Sequence, residues 1–220
     1  MTPMKSATNL VFVDLETSGL DPKQDVILEI AALPVDQNLE ILHEGWSAVV
    51  QPLLPGKTWS SYENTDPHWA LAQHQKAMNE TVLEMHTENG LFKDLEEGKG
   101  IGLQAAMREF LRYSEQFVPH GQTPLAGSSV HFDRKFLERY MSPVDKFFHY
   151  RIADVSSVKE FWRRWYPEAG EPPKVKAHRA LADCYASVAE ARWYKDRLKV
   201  DPGVGMYRSP GVTGDLTDPV

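Results

Sequence analysis

The chain has 220 residues, 42% of them hydrophobic and 25% charged, with a formal net charge of −7. That length suits one domain with elaborations, and the nine Phe, eight Tyr and six Trp are enough to fill a sizeable core. The acidic balance excludes a protein that coats long nucleic acid through a broad basic surface; it leaves open an acidic site whose charge is offset by bound cations.

The one cysteine, Cys184, rules out an internal disulfide and favours a reducing compartment. It sits among apolar residues at helical spacing and reads as core filler rather than as a nucleophile. Met1 to Ser6 lacks the apolar run of a signal peptide, and no window approaches the length of a membrane span. The expectation is a cytoplasmic protein with no membrane partner.

Residues 1–8 read as a flexible N-terminus. Leu10 to Val13 is a short apolar run, read as a buried strand, and it delivers Asp14 and Glu16 one residue apart. Positions two apart share one face of a strand, so the two carboxylates point the same way. Like charges side by side in a core need a neutralising partner, and hard divalent cations prefer carboxylate oxygens. Thr17-Ser-Gly19 reads as a turn. A second Asp-x-Glu, Asp94-Leu-Glu96, has no strand ahead of it and reads as a solvated turn.

Val26 to Val35 and Gly45 to Val50 read as two further strands, with turn chemistry at Asp36-Gln-Asn38 and Leu39 to Leu42 leading in, so the opening is an antiparallel meander. Glu29 falls among apolar residues of the second strand, either at an edge or turned toward the acids. Gln51 to Gln75 reads as a long loop with one short helix, and Lys76 to His86 as a short helix ended by Asn89-Gly90. Glu96 to Gly102 is a charged break. Leu103 to Phe117 is an amphipathic helix; Pro124 to Ser128 a short strand and turn; Phe132 to Tyr140 a helix; His149 to Ala153 a strand; Val155 to Trp165 a helix stopped by Pro167. After the rigid Pro172-Pro173 loop a last helix runs from Leu181 to about Leu198. Residues 200–220 have no apolar period and read as a disordered tail. Strands followed by strand and helix alternation give an α/β fold around a mixed sheet, with one domain over 9–199.

Two more acids stand in suggestive settings. Asp133 opens a helix that follows a strand. Asp183 lies at the front of the last helix, five residues after His178. On one helix that spacing is a rotation of roughly 140°, so His178 belongs on the loop ahead of the helix if both reach one site.

The ordered set of motifs is Asp14-Leu-Glu-Thr-Ser-Gly-Leu20, Met85-His-Thr-Glu-Asn-Gly-Leu91, Gly127-Ser-Ser-Val-His-Phe-Asp133, Phe148-His-Tyr-Arg-Ile-Ala-Asp154 and His178-Arg-Ala-Leu-Ala-Asp183. It resembles the DEDDh exonucleases, 3′-to-5′ enzymes with a ribonuclease H-like fold, and within them the oligoribonucleases, over about Leu10 to Leu198. The resemblance implies Asp14, Glu16, Asp133 and Asp183 as ligands of two divalent cations, Mg²⁺ or Mn²⁺, and His178 as general base. It implies short single-stranded RNA or DNA as partner, 5′-monophosphates as products, and a homodimer. It further implies Leu20 as a wedge against the terminal bases and His86 as part of the base pocket. Ser129, Tyr150 and Arg151 would cap the 5′ phosphate, with Tyr150 reaching across the dimer.

Three departures stand out. Gly127-Ser-Ser129 replaces the usual Gly-Asn-Ser. Thr81 stands where oligoribonucleases carry a stacking tryptophan. The Gln51 to Gln75 loop is long, and it supplies Trp59 and Trp69 as substitute platforms. Two alternatives stay open: a broader single-stranded exonuclease of repair or proofreading type, and a catalytically silent nucleic-acid binding module.

Overall fold

The computed structural model describes residues 5–53, 66–173 and 177–198. The expectations for residues 1–4, for Trp59 and for the 200–220 tail lie outside the described residues.

Strand β1 (Leu10–Thr17) is central, flanked by the antiparallel β2 (Ile27–Val35), which in turn carries β3 (Trp46–Val49). On its other side β1 pairs in parallel with β4 (Pro124–Gly127), and β4 with β5 (His149–Asp154), so the sheet order is β3-β2-β1-β4-β5. This is the mixed sheet expected from the sequence. Every residue of β2 is buried, the mark of a strand covered on both faces.

Two layers of helices cover the sheet. Val11 and Val13 of β1 face a core built with Leu103, Ala106 and Phe110 of α4 (Leu103–Ser114), Phe136 and Leu137 of α5 (His131–Tyr140), and Val144 and Phe147 of α6 (Ser142–Phe147). Phe12 of β1 and Ala31, Leu33 and Val35 of β2 face the other way. They pack with Val155 and Trp162 of α7 (Val155–Trp165) and Cys184, Val188 and Tyr194 of α8 (Ala180–Arg197). Asp14 and Glu16 continue the Phe12 face, so the alternation of β1 aims both acids at α8. Cys184 is buried, its thiol 3.5 Å from the Phe12 carbonyl, as core filler should be.

Three local readings need correction. The stretch before Ala77 is an 11-residue helix, α1 (Pro67–Ala77), started by an Asp66 side chain that accepts from His68 N. The helix expected over Lys76 to His86 is broken at Met78. A new one, α2 (Glu80–Glu88), begins where Asn79 caps it by accepting from Val82 N. Asp94-Leu-Glu96 is not a solvated turn but part of α3 (Leu91–Glu96): Leu95 is buried in the core, and that apolar anchor outweighs the charged flanks. The short helix α6 carried no clear periodic signal.

Candidate active site

The carboxyl ends of the parallel strands β1, β4 and β5 meet at one edge of the sheet, the usual place for a site in an open α/β sheet. The approach is close: a Cβ at Gly127 would lie 2.7 Å from the Val13 carbonyl oxygen, so glycine lets β4 come up against β1 just before Asp14. Oxygens of Asp14, Glu16 and Asp183 lie within 4.8 Å of one another. Asp14 and Glu16 come from the end of β1, and Asp183 from the first turn of α8. Asp133, from the first turn of α5, stands beside Asp14, and its Oδ1 accepts the Leu15 amide at 2.9 Å. Three of the four acids expected from the sequence therefore cluster, and the fourth, Asp133, is tied to the backbone between Asp14 and Glu16.

The electrostatics show what such a cluster requires. Burial, then repulsion from Asp133, Glu16 and Asp183, push the Asp14 carboxyl well above its ordinary range. Burial and the repulsion of Asp183 and Glu29 raise Glu16 to about 8. Burial raises Asp133 to about 7, although amide hydrogen bonds work against it. Desolvated like charges of this kind are neutralised either by protons or by cations. An all-oxygen, anionic donor set at one strand end fits a hard divalent cation.

His178 lies on the loop before α8, as its spacing from Asp183 demanded, and has a positive φ of 49°. It lines a cleft of about 400 Å³ with Thr81, Glu84, Met85 and Glu88 of α2. Thr81 is exposed there, so the face that would carry an aromatic platform is open beside the histidine. A second cleft, of about 510 Å³, is lined by Asp14, Asp183, Ser128, Ser129, Ser156 and Lys159 among others.

The remaining sequence candidates are placed unequally. Leu20 is 76% exposed at the tip of a loop. That loop is tied down by Asp25, which accepts from Ser18 Oγ at 3.0 Å and from the Asp21 amide at 2.9 Å. A Cβ at Gly19 would lie 2.5 Å from the Asp25 carboxylate, so the tight fold requires glycine. His86 is fully buried; its Nε2 donates to the Thr17 carbonyl at 2.9 Å, and burial lowers its pKa. It supports the turn that follows Glu16 and is closed to solvent. Ser129 has a φ of 56° and donates its amide to Asp154 Oδ1 at 2.8 Å and its hydroxyl to Ser156 Oγ at 2.9 Å. Tyr150 is 73% exposed on the edge strand β5, with the Arg151 guanidinium 5.6 Å from its ring centroid.

Several residues at the site escaped the sequence reading. Asp154 accepts the amides of both Ser129 and Ser156, so it shapes the serine-lined groove and caps α7 at once; Asp154-Val-Ser-Ser157 is an N-cap pattern that could have shown this. Glu29, left undecided, is buried and held by Arg179 at 2.9 Å. It sits directly across from Glu16 in the β1–β2 register, a pairing of like charges that no sequence signal reveals.

Comparison with known proteins places this geometry. The exonuclease (RNase T) family matches residues 11–191. Human mitochondrial oligoribonuclease is 41% identical over 194 residues, 87% of this chain and 74% of its own. The oligoribonuclease of Streptomyces avermitilis is 41% identical over 198 residues, 88% of this chain and 89% of its own. Among solved structures, the zinc-bound complex of E. coli exonuclease I with single-stranded DNA superposes with a TM-score of 0.60 at 21% identity, covering 89% of this chain and 41% of that one. A complex of the same enzyme with a 5cy-dT13 oligonucleotide gives 0.55 at 22% identity, covering 89% and 42%. The chain spans about two-fifths of exonuclease I, and that likeness shows the shared fold. By the family match over residues 11–191 and relatives 41% identical over most of its length, the chain belongs to the exonuclease family, in its oligoribonuclease group, and is a 3′-to-5′ exonuclease.

Proposed function

We propose that this chain, as a single domain over 9–199, hydrolyses short single-stranded RNA, and short DNA, from the 3′ end to nucleoside 5′-monophosphates. The observation that carries the reading is the convergence of Asp14, Glu16 and Asp183 within 4.8 Å, with Asp133 beside them. Asp14, Glu16, Asp133 and Asp183 would hold two divalent cations, Mg²⁺ or Mn²⁺. Such ions stabilise the charge that develops on the attacking and leaving oxygens of a phosphoryl centre.

The chain's own groups do the rest. His178 stands free of the carboxylate cluster on its own loop and takes the proton from the attacking water, a task suited to an imidazole near neutral pH. Leu20, projecting from an anchored loop, wedges against the terminal bases. His86 fixes the floor beneath that loop through Thr17 and marks the base side of the site. Ser129, Tyr150 and Arg151 receive the 5′ phosphate, with the planar guanidinium suited to two phosphate oxygens at once. Tyr150 and its exposed strand edge support a homodimer in which the tyrosine reaches the partner's substrate. A cytoplasmic setting is part of the proposal; the single, buried cysteine suits a reducing compartment.

The open cleft at Thr81 favours a second reading, a broader single-stranded exonuclease, because base stacking on an aromatic is worth about 1–3 kcal/mol per base and is missing at that position. A silent binding module is disfavoured by the intact acid set. The test is cleavage of 5′-labelled RNA and DNA oligomers, from dimers to about 20-mers, with Mg²⁺, Mn²⁺ or chelator. Fast loss of the dimer with little action on long strands supports the short-substrate reading. A ladder from long strands supports the broader one, and binding without cleavage in any metal overturns both.

A further inference from the structure

The loop that carries His178 is anchored at every position from Ala177 to Ala180. The Ala177 amide donates to Asp183 Oδ1 at 3.2 Å. The His178 carbonyl accepts from the Asn89 side-chain amide. Arg179 forks onto Glu29, with Nη2 at 2.9 Å and Nε at 3.1 Å, and its Nη1 reaches Asp94 at 2.9 Å. The Ala180 amide donates to Glu29 Oε2 at 3.0 Å, so a strand carboxylate caps the first turn of α8. His178 itself holds a left-handed φ of 49°, a conformation an L-residue keeps only where its surroundings hold it.

The anchors come from three separate elements. Glu29 belongs to the buried β2, Asp94 to α3, and Asn89 to the junction between α2 and α3. Asn89 is fixed in its own right, its Oδ1 accepting the Leu91 amide at 2.9 Å. Its amide nitrogen lies 3.5 Å from His86 Nδ1, and His86 donates to the Thr17 carbonyl. One connected set of polar contacts therefore joins the backbone just beyond Glu16 to the backbone of His178.

We infer that Arg179 and Asn89 are positioning residues for His178, clamping its loop to Glu29, Asp94 and α3 so that the imidazole stands in register with the carboxylate cluster. The inference rests on the reading of His178 as general base. Arg179 is committed to Glu29 and Asp94, and Asn89, which also lines the cleft beside His178, spends its amide on the His178 carbonyl, so on this inference both act through the histidine. A merely structural part, in which Arg179 only neutralises the buried Glu29, predicts different behaviour once His178 is gone.

The decisive measurement is single-turnover cleavage of a 5′-labelled RNA dinucleotide in Mn²⁺, with dinucleotide affinity measured separately in Ca²⁺. The variants are Arg179→Gln, Arg179→Lys and Asn89→Asp, which keeps the acceptor for Leu91 and removes the donor. Each is made in the wild-type and His178→Ala backgrounds. Arg179→Gln is expected to slow cleavage by roughly 10- to 100-fold with affinity within about twofold, since small misplacement of a reacting group costs on this scale. Arg179→Lys, which keeps the charge without the fork, recovers part of the rate. In the His178→Ala background the residual rate is expected to stay within about twofold for every variant, because residues acting through one group are non-additive. A full loss repeated in the His178→Ala background, or wild-type cleavage by Arg179→Gln, overturns the inference.

Should Arg179→Gln fail to fold with Glu29 left unpaired, Glu29→Gln/Arg179→Gln keeps a neutral pair and is read against the same two outcomes. A wild-type protein that cleaves nothing in either metal overturns the exonuclease reading instead. His178→Ala cleaving at the wild-type rate removes the base role on which the inference stands.

Discussion

The carboxyl end of β1 and the exposed edge strand β5 belong to one sheet, yet they are built on opposite terms. At β1 the acids are desolvated, repel one another and are fixed by strand, helix and amide contacts. At β5 the phosphate-facing candidates Tyr150 and Arg151 stand in solvent with a ring contact between them. The first region offers an all-oxygen donor set suited to divalent cations. The second presents exposed groups held by few contacts. On the proposed reading, the chemistry belongs to the buried region and the recognition of substrate length to the exposed one.

The sharpest way to break that contrast is to remove an acid. Asp183→Ala should lower turnover on the order of 10³-fold, about 4 kcal/mol of transition-state stabilisation, as measured by release of mononucleotide. The same variant in chelator should unfold at no lower temperature than wild type, because deleting one of several repelling buried charges relieves the others. A melting midpoint far below wild type would mean that Asp183 holds the fold rather than the metals.

Next in size is the link between metal and pH. The folded pKa of Glu16, about 8, lies above its ordinary 4.5, and Asp133, about 7, lies above 3.8. Folding therefore favours the protonated forms. This stabilisation is fully present below the ordinary carboxyl range and is lost as pH rises through the folded values. Metal-free protein should thus lose stability from about pH 4 to pH 8, by several kcal/mol in total. Added Mn²⁺ should raise the melting midpoint more at pH 8 than at pH 6, since binding must displace protons at the lower pH. Equal metal-induced shifts at both values would contradict the buried, repelling cluster.

At the exposed edge the effects should be smaller and fall on binding. Arg151→Ala is expected to raise KM for a 5′-phosphorylated dinucleotide about 10- to 100-fold, the range of a lost charge-assisted hydrogen bond, with kcat changed far less. A substrate lacking the 5′ phosphate should not feel the change; if it does, Arg151 is not the cap. Smallest of all, Thr81→Trp should restore a stacking face beside His178 and tighten the dinucleotide by about 1 kcal/mol, roughly fivefold in Kd. No tightening would show that the aromatic platform of this chain lies elsewhere.

Strands β1 and β2, the amphipathic α4 and the last helix were legible because periodic burial is a local property of the chain. So were the acids: Asp14 and Glu16 follow an apolar run, Asp133 opens a helix, and the spacing of His178 from Asp183 puts the histidine on a loop. The break between α1 and α2 at Met78 was harder, because the cap at Asn79 competes with a helical pattern that runs straight through it. The Asp94 motif was misread because Leu95 gains its burial from partners distant in the chain.

The sequence alone determined the fold class, since strand alternation and helix spacing fix which side chains share a face, and its resemblance to a known family singled out the ordered set of acids and the histidine. Only the tertiary structure decided that Glu29 opposes Glu16 across β1 and β2, that Arg179 neutralises it, and that Asn89 reaches the His178 carbonyl. Glu29 and Arg179 are 150 positions apart, and Asn89 and His178 are 89 apart. No local preference encodes such a pairing; it exists because strand register and helix packing bring those backbones together, and a buried charge is stable only where that packing supplies its partner.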